Sequence, residues 1–297
     1  MLNVLLRTTR PGFLVLTLAT VFLAVACAYY LQGEVDGGRS AELLMCALLA
    51  HISVNCLNEY QDFRSGLDYK TTRTPFSGGS GALPEYSQAA PVVLGVAIVS
   101  LVGCIILGLH LSSGMGWFPH AFGILAVAIV LTYTSVLNKK PLLCLIAPGT
   151  GFGLIMVAGS VFVLTGRFSA VVFVVSLVPF FLVNNLLLVN QYPDCQADSE
   201  YGRCTFPSTY GFKTSNRIYA LFTALAAIAL LITLILVTSP GWGWALFLPL
   251  LLNIKVLTGL YTNKPQSKGF QTIMALNVIA SILMPVLMGL WLIGNRW

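Results

Sequence analysis

Long apolar stretches alternate with short polar ones along almost the whole chain. Each stretch holds about 20 residues, the length that an α-helix needs to cross the hydrocarbon core of a bilayer. An α-helix satisfies its own backbone hydrogen bonds, so it is the element expected in lipid. The pattern predicts nine transmembrane helices, near residues 13–31, 40–60, 89–111, 117–137, 142–165, 168–192, 217–238, 243–261 and 272–294.

The composition excludes a soluble globular protein. Of the 297 residues, 57% are hydrophobic and 9% are charged, whereas a soluble domain has about 25% charged residues. Nine helices occupy most of the chain, so we expect one integral membrane domain over residues 1–297, built as an all-α bundle. We interpret the first apolar run as an uncleaved transmembrane helix, because it is longer than the apolar region of a typical signal peptide.

Basic residues are distributed unevenly between the two sides of the predicted bundle. Twelve Lys and Arg residues fall on the N-terminal side, and three, Arg39, Arg167 and Arg296, fall on the other. The positive-inside rule therefore predicts a cytoplasmic N-terminus and, after nine crossings, an external C-terminus. We expect a multi-pass protein of the inner or plasma membrane. No basic cluster accompanies a nucleic-acid-binding motif, so nucleic acid is not expected as a partner.

A first group of polar residues lies where the second apolar run ends. Asn55, Asn58 and Asp62 are spaced i, i+3 and i+7, which places them on one face of a helix as it leaves the membrane. Asp68 follows beyond a glycine turn at Gly66. This group opens a long polar segment at about residues 55–88.

A second group repeats the arrangement after the sixth apolar run. Asn190, Asp194 and Asp198 are spaced i, i+4 and i+8 in a second long polar segment, at about residues 190–216. Both segments fall on the predicted cytoplasmic side. Oxygen-rich groups of this kind suit Mg²⁺, which takes one or two carboxylates and completes its octahedron with water and substrate phosphates.

Basic residues that could hold the same phosphates flank the two acidic groups. They are Arg64, Lys70, Arg73, Arg203 and Lys213. A third polar cluster, with Tyr133, Lys139 and Lys140, ends the fourth apolar run on the same side. The glycine-rich stretch at residues 72–81 could also contribute backbone N–H groups to a phosphate. Together these features predict a magnesium-dependent diphosphate site.

The histidines add little to this prediction. His51 lies two helical turns before Asn58 on the same face, so it could line the cavity, but we favour the interpretation that it is a buried structural histidine. No Ser/His/Asp or Cys/His arrangement is visible, so catalysis through a covalent intermediate is not expected.

At these residues the chain resembles the UbiA superfamily of intramembrane aromatic prenyltransferases. Asn58, Asp62 and Asp68 match its first acidic signature, and Asp194 and Asp198, followed by Gly-Arg-Cys-Thr, match its second. Within the superfamily the chain looks most like the menaquinone branch, whose acceptor is dihydroxynaphthoate. Two places depart from that branch: Glu59 stands where Asp is usual, and residues 144–149 replace a Gly-Leu-Gly-Glu stretch.

The resemblance implies a nine-helix bundle around a central cavity that holds a polyprenyl diphosphate and an aromatic acceptor. It implies Mg²⁺ bound by Asn58, Asp62, Asp194 and Asp198, with Asp68 as a further catalytic residue. The substrate-binding residues would be Asn55, Arg64, Lys70, Arg73, Tyr133, Lys139, Lys140, Asn190, Arg203 and Lys213. Two alternatives remain open at this point: a UbiA-type terpene cyclase, which needs no acceptor, and a cation-coupled membrane transporter, in which membrane acids mark an ion path.

Overall fold

The protein is described by a computed structural model that covers residues 1–237 and 241–296. Over those ranges the regular structure is helical, and no β-strand occurs. The α-helices are α1 Leu2–Thr9, α2 Pro11–Gln32, α3 Gly37–Ser65, α4 Ala82–Glu85, α5 Ala90–Leu111, α6 Phe118–Thr132, α7 Pro141–Gly149, α8 Ser160–Thr165, α9 Ala170–Asn190, α10 Cys195–Glu200, α11 Phe206–Leu236, α12 Leu248–Thr262 and α13 Lys268–Gly294. The predicted all-α class is confirmed.

Eight helical segments within the described ranges are long and apolar enough to cross a membrane. The ninth predicted span corresponds to α6, which has 15 residues and is therefore about 22 Å long. At its start, the His120 Nε2 atom lies 3.3 Å from the Ser112 hydroxyl at the end of α5. Beyond its end, the Asn138 carbonyl accepts a hydrogen bond of 2.8 Å from the Cys204 amide. α6 therefore connects the two ends of the bundle, as the nine-helix prediction requires.

The two termini lie at opposite ends of the bundle. Arg7 donates to the Glu85 carboxylate at 2.7 Å and to the Ser80 carbonyl at 2.9 Å, beside the loop that follows α3. Arg296 donates to the carbonyl of Tyr30, near the far end of α2. This arrangement agrees with an odd number of crossings, and which end faces the cytoplasm remains a prediction.

One half of the bundle is a packed core. Leu23 of α2, Val175 of α9, Leu230 of α11 and Met284 of α13 are fully buried in one hydrophobic cluster. The other half, formed by α3, α5, α6 and the segment after α7, leaves a cavity. One side of the bundle is therefore closely packed, and the other side encloses the cavity.

The cavity wall after α7 is an irregular helix. Pro148 lies inside α7, and residues Thr150–Gly159 continue as a π-helix. A proline in a helix removes one backbone hydrogen bond, and the next amide, that of Gly149, donates to the buried side-chain oxygen of Asn184 at 2.6 Å. π-Helical turns are frequent at functional sites, and this one lines the cavity.

Candidate functional site

The cavity has a volume of about 860 Å³ and runs along α6 from one end of the bundle to the other. Its polar end contains residues of both acidic groups, and its far end is formed by Leu111 of α5 and Val163 of α8. Nine predicted site residues line it: Asn55, Asn58, Asp62, Asp68, Tyr133, Asn190, Asp194, Asp198 and Arg203. The two polar segments that the sequence singled out therefore meet in one site.

Most of the cavity wall is hydrocarbon. Ile105 of α5, Val127 of α6 and Ile155 and Met156 of the π-helix line it, and Phe152 presents an aromatic ring. A wall of this kind excludes water and favours an apolar chain by the hydrophobic effect. The cavity thus joins a polar, acidic end to a long apolar channel.

The first acidic group is held by the regular geometry of α3. Asn58 Nδ2 donates to Asp62 Oδ2 at 3.0 Å, across one helical turn, and to the Thr134 hydroxyl at 3.1 Å. The other oxygen of Asp62 accepts from the guanidinium of Arg203. Asn55 donates to the Thr9 carbonyl at 3.0 Å, which ties α3 to the end of α1.

The second acidic group begins at the last residue of α9 and continues into α10. Asp194 precedes α10, and its Oδ2 accepts a hydrogen bond of 3.0 Å from the Gly78 amide of the glycine-rich loop. Asp198 is buried within α10, with Oδ1 3.6 Å from the Arg203 guanidinium. Arg203 therefore bridges the two acidic groups.

Asp68 completes the acidic end of the cavity. It lies in a short 3-10 turn that begins after Gly66, and its side chain is buried against Gly79. Gly79 has a φ of +72°, and a Cβ atom there would come 2.7 Å from Asp68 Oδ1. Both the backbone conformation and the close approach require glycine at this position.

Burial perturbs three of the carboxyl groups at this end. It raises the pKa of Asp198 to about 8, with a further contribution from the charge of Asp194. It raises the pKa of Asp68 to about 7, assisted by the charge of Glu59. The pKa of Asp194 is raised by burial to about 6, and the Gly78 amide opposes that rise. Clustered carboxyls with raised pKa values are typical of sites that bind a cation or transfer a proton.

The donor atoms present fit Mg²⁺. Five buried oxygens that line the cavity accept no hydrogen bond: Asp68 Oδ2, Asn190 Oδ1, Gln191 Oε1, Asp194 Oδ1 and Asp198 Oδ1. Buried acceptors are normally paired, and hard oxygen ligands are those that Mg²⁺ prefers. Over residues 1–237 and 241–296, no three His, Cys, Asp or Glu side chains enclose a metal site.

The four predicted ligands differ in availability. Asp194 Oδ1 and Asp198 Oδ1 accept no hydrogen bond, although Asp198 Oδ1 lies 3.6 Å from the Arg203 guanidinium. The oxygen of Asn58 lies 3.4 Å from Arg10, and Asp62 is occupied by Asn58 and Arg203. The assignment of Asn58 and Asp62 as ligands therefore remains a prediction.

Arg10 belongs to the site, although sequence reasoning used it only to predict topology. Its Nε donates to Glu59 at 2.7 Å, and its side chain lines the cavity. Glu59 is fully buried and also accepts from the Ser80 amide at 2.8 Å and the Ser80 hydroxyl at 2.5 Å. Among the described residues, Arg10 is the one non-glycine with a positive φ, at the junction of α1 and α2. The one sequence feature that pointed to this pair is Glu59, which stands where the menaquinone branch usually has Asp.

Six predicted cations lie outside the main cavity. Arg64, Lys70, Lys139, Lys140 and Lys213 are exposed and do not line it. Arg73 lies 3.9 Å from Glu85 and lines a neighbouring cavity of about 320 Å³, together with Arg7 and Arg10. A phosphate role for these six residues stays a prediction. The glycine-rich loop, expected to donate to a phosphate, instead donates from Gly78 and Ser80 to carboxylates of the protein.

These features define an integral membrane protein with a binding site at one end of its helical bundle. The chain belongs to the UbiA prenyltransferase family, which it matches over residues 16–279. It is a prenyltransferase, as the resemblance implied.

Relatives and structures with similar sequences or folds agree with this assignment. The chain is 26% identical to the 1,4-dihydroxy-2-naphthoate octaprenyltransferase of Bacillus subtilis, over 88% of this chain and 83% of that protein. It is 25% identical to the protein of the same name from Haemophilus influenzae, over 97% and 94% of the two chains.

Among solved structures, a UbiA homolog from Archaeoglobus fulgidus bound to GPP and Mg²⁺ has a TM-score of 0.69 at 14% identity, over 98% of this chain and 99% of that one. The same homolog bound to DMAPP and Mg²⁺ has a TM-score of 0.66 at 13% identity, with the same coverage. At these identities the likeness establishes the fold. The predicted resemblance to the naphthoate-prenylating branch is confirmed by the names of the relatives.

Proposed function

We propose that this protein transfers a polyprenyl group from a prenyl diphosphate to an oxygenated aromatic acceptor of the dihydroxynaphthoate type, releasing diphosphate, with Mg²⁺ as cofactor. The main support is that two acidic groups and the buried Arg203 meet at the polar end of one apolar cavity. The names of the relatives, which are 1,4-dihydroxy-2-naphthoate octaprenyltransferases, support this acceptor class.

The cavity suits the two chemically different halves of the prenyl donor. Its diphosphate binds at the acidic end, where Arg10 and Arg203 supply positive charge. Its hydrocarbon chain lies along α6 and the π-helix, where the wall is apolar and water is excluded. Exclusion of water also protects an allylic carbocation, which water would otherwise capture.

The acidic end of the cavity contains buried oxygens that accept no hydrogen bond and are therefore available to a metal ion. Asp194 and Asp198 would hold Mg²⁺ together with Asn190, because each presents a buried oxygen that accepts no hydrogen bond. When bound, the metal neutralises diphosphate charge and so makes diphosphate a better leaving group. Arg203 exchanges Asp62 for a phosphate oxygen as the donor binds, which frees the Asp62 carboxylate.

We place the acidic end of the bundle at the cytoplasmic face of the inner or plasma membrane. The support is the excess of Lys and Arg at this end, twelve against three, under the positive-inside rule. A reporter fused after the last residue should be accessible from outside the cell. A cytoplasmic C-terminal reporter would contradict this orientation.

The proposed function is tested with purified protein, prenyl diphosphates of several lengths, and a panel of naphthoic and phenolic acceptors. Mass analysis of the product should show a prenyl group on the acceptor ring in place of the proton or carboxyl group that the new bond displaces, and diphosphate should be released in equal amount. Release of diphosphate with a cyclised hydrocarbon would instead indicate a terpene cyclase. No release of diphosphate with any donor would contradict the proposal.

A further inference from the structure

His51 of α3 is a buried histidine that faces the cavity. Its ring Nδ1 lies 2.7 Å from the hydroxyl of Thr17 on α2, and the residue is 6% exposed. Its ring packs edge-on against Phe152 of the π-helix, with centroids 5.0 Å apart. The other nitrogen, Nε2, has no hydrogen-bond partner among the described residues, and His51 lines the cavity.

The contact with Thr17 determines which nitrogen of His51 has the proton. The Thr17 side chain is fully buried, and within the described residues its hydroxyl has no hydrogen-bond partner other than His51. A hydroxyl has one proton to donate, and leaving that proton unpaired in a buried site is costly. Thr17 therefore donates to Nδ1, and His51 has its own proton on Nε2. The histidine presents an N–H donor to the cavity.

The position of this donor restricts what can accept its hydrogen bond. His51 and Asn58 lie on one face of α3, seven residues apart, which is about 10 Å along the helix axis. The diphosphate binds beyond Asn58, where Arg10, Arg203 and the carboxylates lie. The rest of a prenyl donor is hydrocarbon and has no hydrogen-bond acceptor. Of the two substrates, the aromatic acceptor alone can offer an oxygen at this depth.

We propose that His51 binds the aromatic acceptor, with Nε2–H donating to a ring hydroxyl or carboxylate oxygen while the acceptor ring packs beside Phe152. Thr17 acts as a positioning residue that orients the imidazole and leaves its proton on Nε2. This inference rests on the proposed function, because it requires an oxygenated aromatic substrate. It assigns to His51 a role in acceptor selection that sequence reasoning, which interpreted it as structural, did not anticipate.

The test compares His51→Phe with His51→Gln, measuring KM for the acceptor and for the prenyl diphosphate separately. Phe keeps the ring shape but has no N–H, so the acceptor KM should rise about tenfold, as expected for the loss of one hydrogen bond. Gln has an N–H at a similar reach, so its acceptor KM should stay within about threefold of wild type. The donor KM should be unchanged in both variants. His110→Phe is the control, because His110 is exposed and lies outside the cavity.

Two further measurements keep the inference falsifiable. Thr17→Val should raise the acceptor KM several-fold without changing the donor KM. Acceptor analogues that each lack one oxygen should identify one analogue on which wild type and His51→Phe perform equally. If prenyl transfer occurs but His51→Phe leaves the acceptor KM unchanged, or Gln is as defective as Phe, the inference is wrong and the proposed function stands. If wild type prenylates no aromatic acceptor, the proposed function itself fails.

Discussion

Arg203 forms an ion pair with Asp62, which lies 141 positions earlier in the chain. The same guanidinium lies 3.6 Å from Asp198. One cation thus joins the two acidic groups. Under the proposed function, a diphosphate bound here replaces Asp62 as the partner of Arg203.

Replacement of Arg203 should therefore affect the prenyl donor more than the acceptor. Arg203→Ala should raise the KM for prenyl diphosphate at least tenfold, because charge-assisted hydrogen bonds to phosphate are lost. Arg203→Lys should retain part of the affinity as a point charge without the planar geometry. Arg217→Ala, an exposed arginine of α11, is the control. A rise confined to the acceptor KM would contradict the placement of the diphosphate.

The contact between Gly79 and Asp68 provides a second prediction. Gly79→Ala should reduce turnover strongly, since its methyl group would come 2.7 Å from Asp68 Oδ1 and its φ of +72° is strained for alanine. Gly116→Ala has an equally positive φ, +74°, but nothing within 4 Å of the new methyl group. It therefore reports backbone strain alone. Equal turnover in the two variants would show that the position of Asp68 does not matter for catalysis.

The span pattern and the acidic site were predictable from the sequence, for physical reasons. Apolar runs of bilayer length leave helices as the element that satisfies the backbone. Because α3 and α9 both end at the same side of the bundle, the polar residues at their ends meet. Spacing along one helix placed Asn58 and Asp62 together, as the hydrogen bond between them confirms.

The partnership of Arg10 with Glu59 could not be predicted in the same way. The two residues are 49 positions apart, and they meet because the chain turns sharply between α1 and α2 at Arg10. The π-helix could not be predicted from the sequence either, because its residues are as apolar as those of a regular transmembrane α-helix. Tertiary contacts, rather than local spacing, determine both features.

The buried pair of Arg10 and Glu59 leads to a prediction about stability. Arg10→Ala should lower the thermal midpoint of the purified protein substantially, because it leaves a fully buried carboxylate without its cation. The double variant Arg10→Ala/Glu59→Gln should be more stable than Arg10→Ala alone, since the uncompensated charge is then absent. Thermal unfolding in one detergent measures both. A double variant that is less stable than Arg10→Ala would contradict the buried-charge explanation.

The raised pKa values of the site predict how stability depends on pH without metal. Asp194, Asp68 and Asp198 have pKa values of about 6, 7 and 8 in the folded protein, against an ordinary value of 3.8. Between the ordinary and the raised values the folded state binds more protons than the unfolded state, so these groups lower stability as pH rises.

In EDTA, the thermal midpoint should therefore fall as the pH is raised from 5.5 to 8.5. Mg²⁺ should reduce this fall, because the metal binds the deprotonated carboxylates. Asp198→Asn should flatten the profile, since it removes the group with the highest pKa. A midpoint that rises over this interval in EDTA would contradict the assigned pKa directions.

The central claim is that the two acidic groups form one metal-dependent diphosphate site. The most direct measurement is diphosphate release as a function of Mg²⁺ concentration for wild type, Asp62→Asn, Asp194→Asn, the double variant, and the control Glu200→Gln. Glu200 is an exposed carboxylate at the end of α10. Wild type and Glu200→Gln should lose activity in EDTA and regain it with Mg²⁺. Each single variant should lose at least a hundredfold in turnover, and the double variant should be scarcely worse, as expected for residues that act as a unit. Near-normal turnover of folded Asp194→Asn at saturating Mg²⁺ would contradict the claim.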